Sequence, residues 1–482
     1  MTRPALVVHG HFYQPPRLDP FTGTMPIDPT AAPARDWNER ISADCYRPNA
    51  ELGNFGAMSW DLGPTLAGWM QAADPVAYRG FVEGDRGANG MAQPFHHAIM
   101  PLASAADRLT EVCWGLRDFE LRFGRRPTGM WLPETAVDMA TLRLLADHGI
   151  THTVLAPWQV TGLDGLQPDT RRPVRLDLGD GRSIVAVLYD GLLSAAVSFE
   201  PAATVDADTF VRDRLVPRLW QEPLPCDAPP LVVIATDGEL YGHHQPLRDH
   251  FLARLVGRDA PADLPYAVPA LSAAVEQAAT QGLPSATLRE RTSWSCHHGI
   301  ARWASSCECV PDGTWKGPLR SALDRLAGGV DAGTEQLLRT LPGRPDPRDA
   351  RDAYVDVILG AETPGSFAAG WLAPAATTAD RTTFAAVMEA QRWRLAMFAS
   401  CGWFWEAPAR IETAATLRAA VRAARLIDSL AGTDLEGRLV ADLSLISPDG
   451  VGLLRAALAA VGAAGPRTNL RNPSARGLRA TG

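Results

Sequence analysis

The chain has 482 residues, 46% of them hydrophobic, and a formal net charge of −8, so it can bury a sizeable core spread over two or three domains. The acidic balance and the lack of any Lys/Arg run exclude a nucleic-acid-binding surface, and no apolar run approaches a membrane span. Seven scattered cysteines do not form a secreted disulfide framework, and the apolar run Ala5 to Val8 is too short for a signal-peptide core, so a cytoplasmic protein is expected.

In chain order, the first element is a short strand beginning at Ala5–Val8 that ends in HGHFYQPPR. His9 and His11 are two residues apart and therefore share a face of that strand end. Residues 15–50 form a long Pro-rich excursion, with Asp36, Trp37, Asn38, Glu39 and Arg40 in its second half; a loop of that length in a compact domain is usually functional. NGMAQPFHHAIMPL brings His96 and His97 into a loop. In GMWLPET an apolar stretch ends on Glu134, and Thr135-x-x-Asp138 reads as the start of a helix over Ala136–His148, stopped by Gly149. THTVLAPWQV and RSIVAVLYD are further strands, ending at Pro157-Trp158 and Tyr189-Asp190.

PPLVVIATDGELYGHH follows, a buried β-branched run that stops on Asp237, Glu239, His243 and His244. Strands buried on both faces belong to parallel sheets, and in parallel α/β folds the C-terminal strand ends carry the chemistry. Eight of the eleven histidines fall in four close pairs, His9/His11, His96/His97, His243/His244 and His297/His298, which points to a shared pocket more than to separate turn-filling. Beyond about residue 311 the periodicity turns helical (LRSALDRLAGG, TEQLLRTL, FAAVMEAQRWRLAMF, AATLRAAVRAARLIDSL). The aromatics of SCGWFWEAP are either helix-packing core or part of a sugar cleft.

HGHFYQPPR, NGMAQPFHHAIMPL, GMWLPET and DGELYGHH, in this order, resemble the first four sequence regions of glycoside hydrolase family 57, with RTSWSCHHGIARW in the place of the fifth. The resemblance covers about residues 1–305 and is nearest to an uncharacterised branch of the family. It implies an α/β fold: an incomplete (β/α)7 barrel over 1–305 followed by a mainly helical C-terminal domain over 306–465; the Arg, Asn, Ser and Gly of 466–482 suggest a disordered tail. It also implies a retaining glycoside hydrolase or transglycosylase acting on α-linked glucan or oligosaccharide. Glu134 would be the nucleophile and Asp237 the general acid/base. His9, His11, Gln14, His97, Trp131, Glu239, His243, Trp294, His298 and Trp303 would contact substrate, with neither metal nor other cofactor. The first region departs from the family pattern, because Phe12 and Tyr13 intervene between His11 and Gln14, so His9 and His11 both remain candidates for its histidine.

The chemistry agrees with that assignment on its own terms. Retention needs two carboxyl groups about 5 to 5.5 Å apart, which two strand ends on one rim can supply. Histidines and indoles can hold sugar hydroxyls and stack on ring faces. Two other readings stay open: a metal-dependent carbohydrate enzyme, α-mannosidase-like or polysaccharide-deacetylase-like, using His9, His11, His97 and Asp237 as ligands, and a non-catalytic carbohydrate-binding protein. In SCHHGIARWASSCEC, Cys296, His297, His298, Cys307 and Cys309 suggest either a small zinc knot or a loop of reduced thiols; the Cys-x-Cys spacing favours the loop.

Overall fold

A computed structural model of the chain describes residues 3–85, 89–221, 224, 229–446 and 450–459; the tail expected at 466–482 lies outside them. The chain divides into two compact units. The first comprises residues 1–14, 28–95 and 119–299, and the second 15–27, 96–118 and 300–482. The chain thus passes between the units several times, where the sequence suggested a single boundary near 305.

Among the described residues, the first unit is built on nine strands: β1 (Ala5–Phe12), β2 (Ser59–Leu62), β3 (Gly90–Met91), β4 (His152–Leu155), β5 (Val160–Gly162), β6 (Val174–Gly179), β7 (Arg182–Leu188), β8 (Leu231–Asp237) and β9 (Ser285–Leu288). Strands β3, β2, β1 and β8 pair in that order, all parallel. The extended segment around Met130 continues the array, because Ala92 bridges Met130 and Gly129 bridges His152, both in parallel. Strand β4 then pairs in parallel with β7. The result is an incomplete barrel of seven parallel strands in chain order, counting the Met130 segment.

Closure fails between β7 and β8 for a visible reason. The second edge of β7 is taken by β6, which runs antiparallel to it and carries β9 and β5 outward as a side sheet. The far edge of β8 is satisfied piecemeal instead: Leu231 N donates to Arg171 O (2.9 Å), Asp190 N to Val233 O (2.7 Å) and Ala235 N to Ser194 Oγ (3.1 Å).

Period-2 alternation decides what points inward. Leu6, Val8 and Phe12 of β1, Trp60 and Leu62 of β2, and Val232 and Ile234 of β8 pack outward into one core with Tyr46, Phe55 and Phe81. Val7, Val154, Val187, Leu231, Val233 and Ala235 fill a second core with Trp131. Going up the inner face toward the C-terminal ends, Val7 is followed by His9 and His11, and Ala235 by Asp237, so the apolar filling gives way to polar groups at the rim.

Two sequence expectations need correction. The helix expected from Ala136 runs from Met139 to Asp147, capped by Asp138, whose Oδ1 accepts from Thr141 N at 2.8 Å. It cannot begin earlier because Ala136 (ψ 120°) and Asp138 (ψ 165°) are extended. The second half of the 15–50 excursion is not open loop; it folds as consecutive helical segments over Trp37–Ile41, Ser42–Tyr46 and Arg47–Leu52, with Asp36 capping the first.

The second unit is helical, as expected. Its longest helices are Lys316–Thr340, Thr378–Ala396 and Ile411–Ala431. Within it Asp107 is buried and takes ion pairs from Arg394 (2.6 Å) and Arg351 (3.0 Å). Trp403 is core, whereas Trp405 is partly exposed under the Arg410 guanidinium. No helix among the described residues is long and apolar enough to cross a membrane.

Candidate active site

At the rim of the barrel, β1 lies between β2 and β8, and strand register places His11 level with Asp61 on one side and Asp237 on the other. Asp61 is wholly buried and holds both histidines of the first motif: Oδ1 accepts from His9 Nε2 (3.0 Å) and Oδ2 from His11 Nδ1 (2.8 Å). Gln93 Nε2 also donates to Asp61 Oδ2, at 2.8 Å. The two imidazoles stack on the buried Trp131 ring, with centroids 4.8 and 5.2 Å away. Burial alone would discharge His11, but Asp61, through its charge and hydrogen bond, outweighs it and raises the pKa to about 9. A cation is therefore fixed beside Asp237 and Glu239 at neutral pH.

Glu134 reaches the same rim by an unusual backbone. Left-handed geometry at a non-glycine residue costs about 1–3 kcal/mol and persists only where the surroundings enforce it. Here the enforcement is the segment after Arg291. Arg291 N donates to Val137 O, Val137 N to Thr292 O and Trp294 N to Glu134 O, zipping the two stretches together. The same segment supplies the side chains that meet the carboxylate: Ser295 Oγ donates to Glu134 Oε2 at 2.7 Å and Trp294 Nε1 to the same oxygen at 3.3 Å. Burial raises the Glu134 pKa and the negative charge of Asp237 adds to it, while Ser295, His11 and Trp294 pull the other way. The two carboxylates are thus electrostatically coupled.

Asp237 ends β8 with its side chain exposed. Two residues on, Glu239 is buried and receives Tyr46 Oη at 2.6 Å and Gln14 Nε2 at 3.2 Å. Burial lifts Glu239 to about 7, against the Tyr46 hydrogen bond and with help from Asp237. Glu239 therefore exchanges its proton near neutrality, next to an exposed carboxylate at the mouth of the barrel.

The structure thus gathers His9, His11, Gln14, Trp131, Glu134, Asp237, Glu239 and Trp294 at one barrel end. Within that group His9 and Trp131 are fully buried and support the pocket wall, whereas His11 keeps a small exposed edge. His243 is engaged with Asp44 (3.0 Å) on the Ser42–Tyr46 segment. His298 is exposed, and Trp303 is buried in the second unit. His97 also belongs to the second unit, left-handed at φ 59°, with Nδ1 2.7 Å from Ser400 Oγ.

Asp61, Tyr46, Gln93 and Ser295 are functional candidates that sequence reasoning missed. Asp61 had a signal, because SWDLGP also ends an apolar run on an acid, but the run is only four residues long. Of the ligands that the metal-dependent reading would use, His9 is committed at both ring nitrogens, Nε2 to Asp61 and Nδ1 to Ser59, and His97 belongs to the second unit.

The sequence of residues 89–258 matches the family model described as glycosyl hydrolase family 57. Residues 312–447 match a model described only as a domain of unknown function, DUF3536. Among solved structures, the chain is similar to an exo-type maltose-forming amylase from Pyrococcus sp. ST04, with TM-score 0.72, 15% identity, and 96% of this chain and 92% of that one covered. It is also similar to a family 57-type branching enzyme from Pyrococcus horikoshii, with TM-score 0.58, 15% identity and coverage of 95% and 94%. A third is the α-amylase AmyC from Thermotoga maritima, with TM-score 0.55, 13% identity and coverage of 94% and 99%. At these identities the likeness is one of fold, extending over the barrel and the helices after it. No curated protein matches the chain in sequence.

Proposed function

We propose that the chain is a retaining glycoside hydrolase or transglycosylase acting on α-linked glucan or oligosaccharide through a covalent glycosyl-enzyme intermediate. The observation that carries the proposal is the coupled pair Glu134 and Asp237 at one barrel rim, with Glu134 held by Ser295 and Trp294. Structural relatives titled amylase and branching enzyme supply the substrate class.

In this reading Glu134 attacks the anomeric carbon, and its two donors and the His11 cation stabilise the carboxylate that must be ionised to do so. Asp237, exposed at the mouth, donates the proton to the leaving oxygen and later takes one from water or an acceptor hydroxyl. Glu239 serves as the adjoining proton reservoir. None of the cysteines among the described residues is in a disulfide, which suits the reducing cytoplasm expected for a glucan-processing enzyme.

The test is product analysis with maltooligosaccharides, glycogen and aryl α-glycosides, paired with azide rescue. Asp237→Ala should keep first-step activity on an activated aryl α-glycoside, lose activity on glucan and give with azide a glycosyl azide of retained configuration. Glu134→Ala should be inactive, or give with azide the inverted product. Retained configuration from the Glu134 variant would reverse the two assignments.

A further inference from the structure

We infer that Cys296, His298, Cys307 and Cys309 form a structural zinc site. One ligand atom from each of the four comes within 4.8 Å of every other. Tetrahedral zinc holds sulfur at about 2.3 Å and imidazole nitrogen at about 2.0–2.1 Å, which sets its ligand atoms about 3.6–3.8 Å apart. Rotamer adjustments of under an ångström or so per side chain close that difference.

The donors all lie on one continuous stretch, residues 296–309, so its local folding assembles them. Two turns shape it. Gly299 N donates to Cys296 O at 3.1 Å, and Val310 N to Cys307 O at 3.1 Å. The first turn depends on glycine: Gly299 has φ +73°, and a Cβ there would lie 2.3 Å from Arg291 O. Spacing is no obstacle either, since each turn brings the two donors of its Cys-x-His or Cys-x-Cys pair within 4.8 Å of each other.

The chemistry of the set selects the ion. Three thiolates and one neutral imidazole suit zinc and leave no reason for magnesium or calcium, which take oxygen. Binding breaks three S–H bonds, releases three protons to the buffer and forms four coordinate bonds from three thiolate lone pairs and one imidazole nitrogen; no oxidant is needed. With four protein ligands the ion has no open position and serves as a clamp. What it would clamp is the chain immediately after Ser295, the donor that holds Glu134.

The site is tested by metal content, which does not depend on the carbohydrate chemistry proposed above. The full-length chain, expressed with zinc and freed of any affinity tag, should carry about one zinc per chain by elemental analysis, falling to about a tenth or less in Cys307→Ser/Cys309→Ser and in His298→Asn. His297→Asn should keep its zinc. Because the double variant could misfold, metal-free wild type is also refilled with cobalt(II), where thiolate-to-cobalt charge-transfer bands are expected. Wild type without zinc and without those bands, a Cys307–Cys309 disulfide in the freshly isolated chain, or variants that retain metal like wild type would each overturn the assignment.

Discussion

Asp61 is where the charge of the site is set, because one buried carboxylate holds His9, His11 and Gln93 at once. The His11 pKa is raised from 6.5 to about 9, so the fold gains from its protonation fully below about pH 6.5, and the gain is lost as pH rises through about 9. A shift of that size corresponds to about 3 kcal/mol. Asp61→Asn should therefore unfold more easily than wild type at pH 6 by about that amount, with the gap narrowing toward pH 10; a gap independent of pH across that interval would contradict the charge assignment. Ser295→Ala tests the other carboxylate. Losing a donor to an ionised group raises its pKa, so the acidic limb of the kcat/KM profile should move up by about one pH unit if Glu134 is the proposed nucleophile, and an unmoved limb would mean that Ser295 does not tune it. Glu134 and Asp237 were legible in the sequence because each ends an apolar run before a turn. Tyr46 and Ser295 were not, since their partners stand 193 and 161 residues away and nothing local marks them.

The rim elements are aimed by a few tight backbone positions. The strands were legible from their apolar runs, and β7 and β8 appear where RSIVAVLYD and LVVIATD place them. The helix after Glu134 was read too early because Thr135-x-x-Asp138 looks like a capping box, whereas Asp138 is itself the cap and Ala136 is still extended. Gly238, between Asp237 and Glu239, is a second such position: a Cβ there would meet the Phe12 ring at 2.4 Å. Gly238→Ala should lower stability by about 1–3 kcal/mol and depress kcat as the end of β8 shifts. Adding Phe12→Leu should restore part of both, and a double variant no better than the sum of the singles would show that the clash is not the cause.

On the scale of the whole molecule, the helical content after residue 311 was legible, but the interleaving of the two units was not, because nothing in residues 96–118 announces that their partners follow 300. A fragment ending at 305 would keep Asp107 and lose both Arg351 and Arg394, stranding a buried acid. It should be recovered as insoluble or molten material, judged by near-ultraviolet dichroism; a well-packed, soluble fragment would show that the second unit's early segment folds without its later helices. The unclosed side of the barrel has a consequence for how the protein breathes. Leu231 and Ala235 donate to a loop carbonyl and a serine hydroxyl and Val233 accepts from Asp190 N on the same open side, whereas Val232 and Ile234 face β1. In deuterated buffer, adjacent amides of one strand should then exchange on alternating clocks, fast at 231 and 235 and slow at 232 and 234, so that the seam loosens while the strand stays in place and the pocket above it gains room for a long substrate without unfolding.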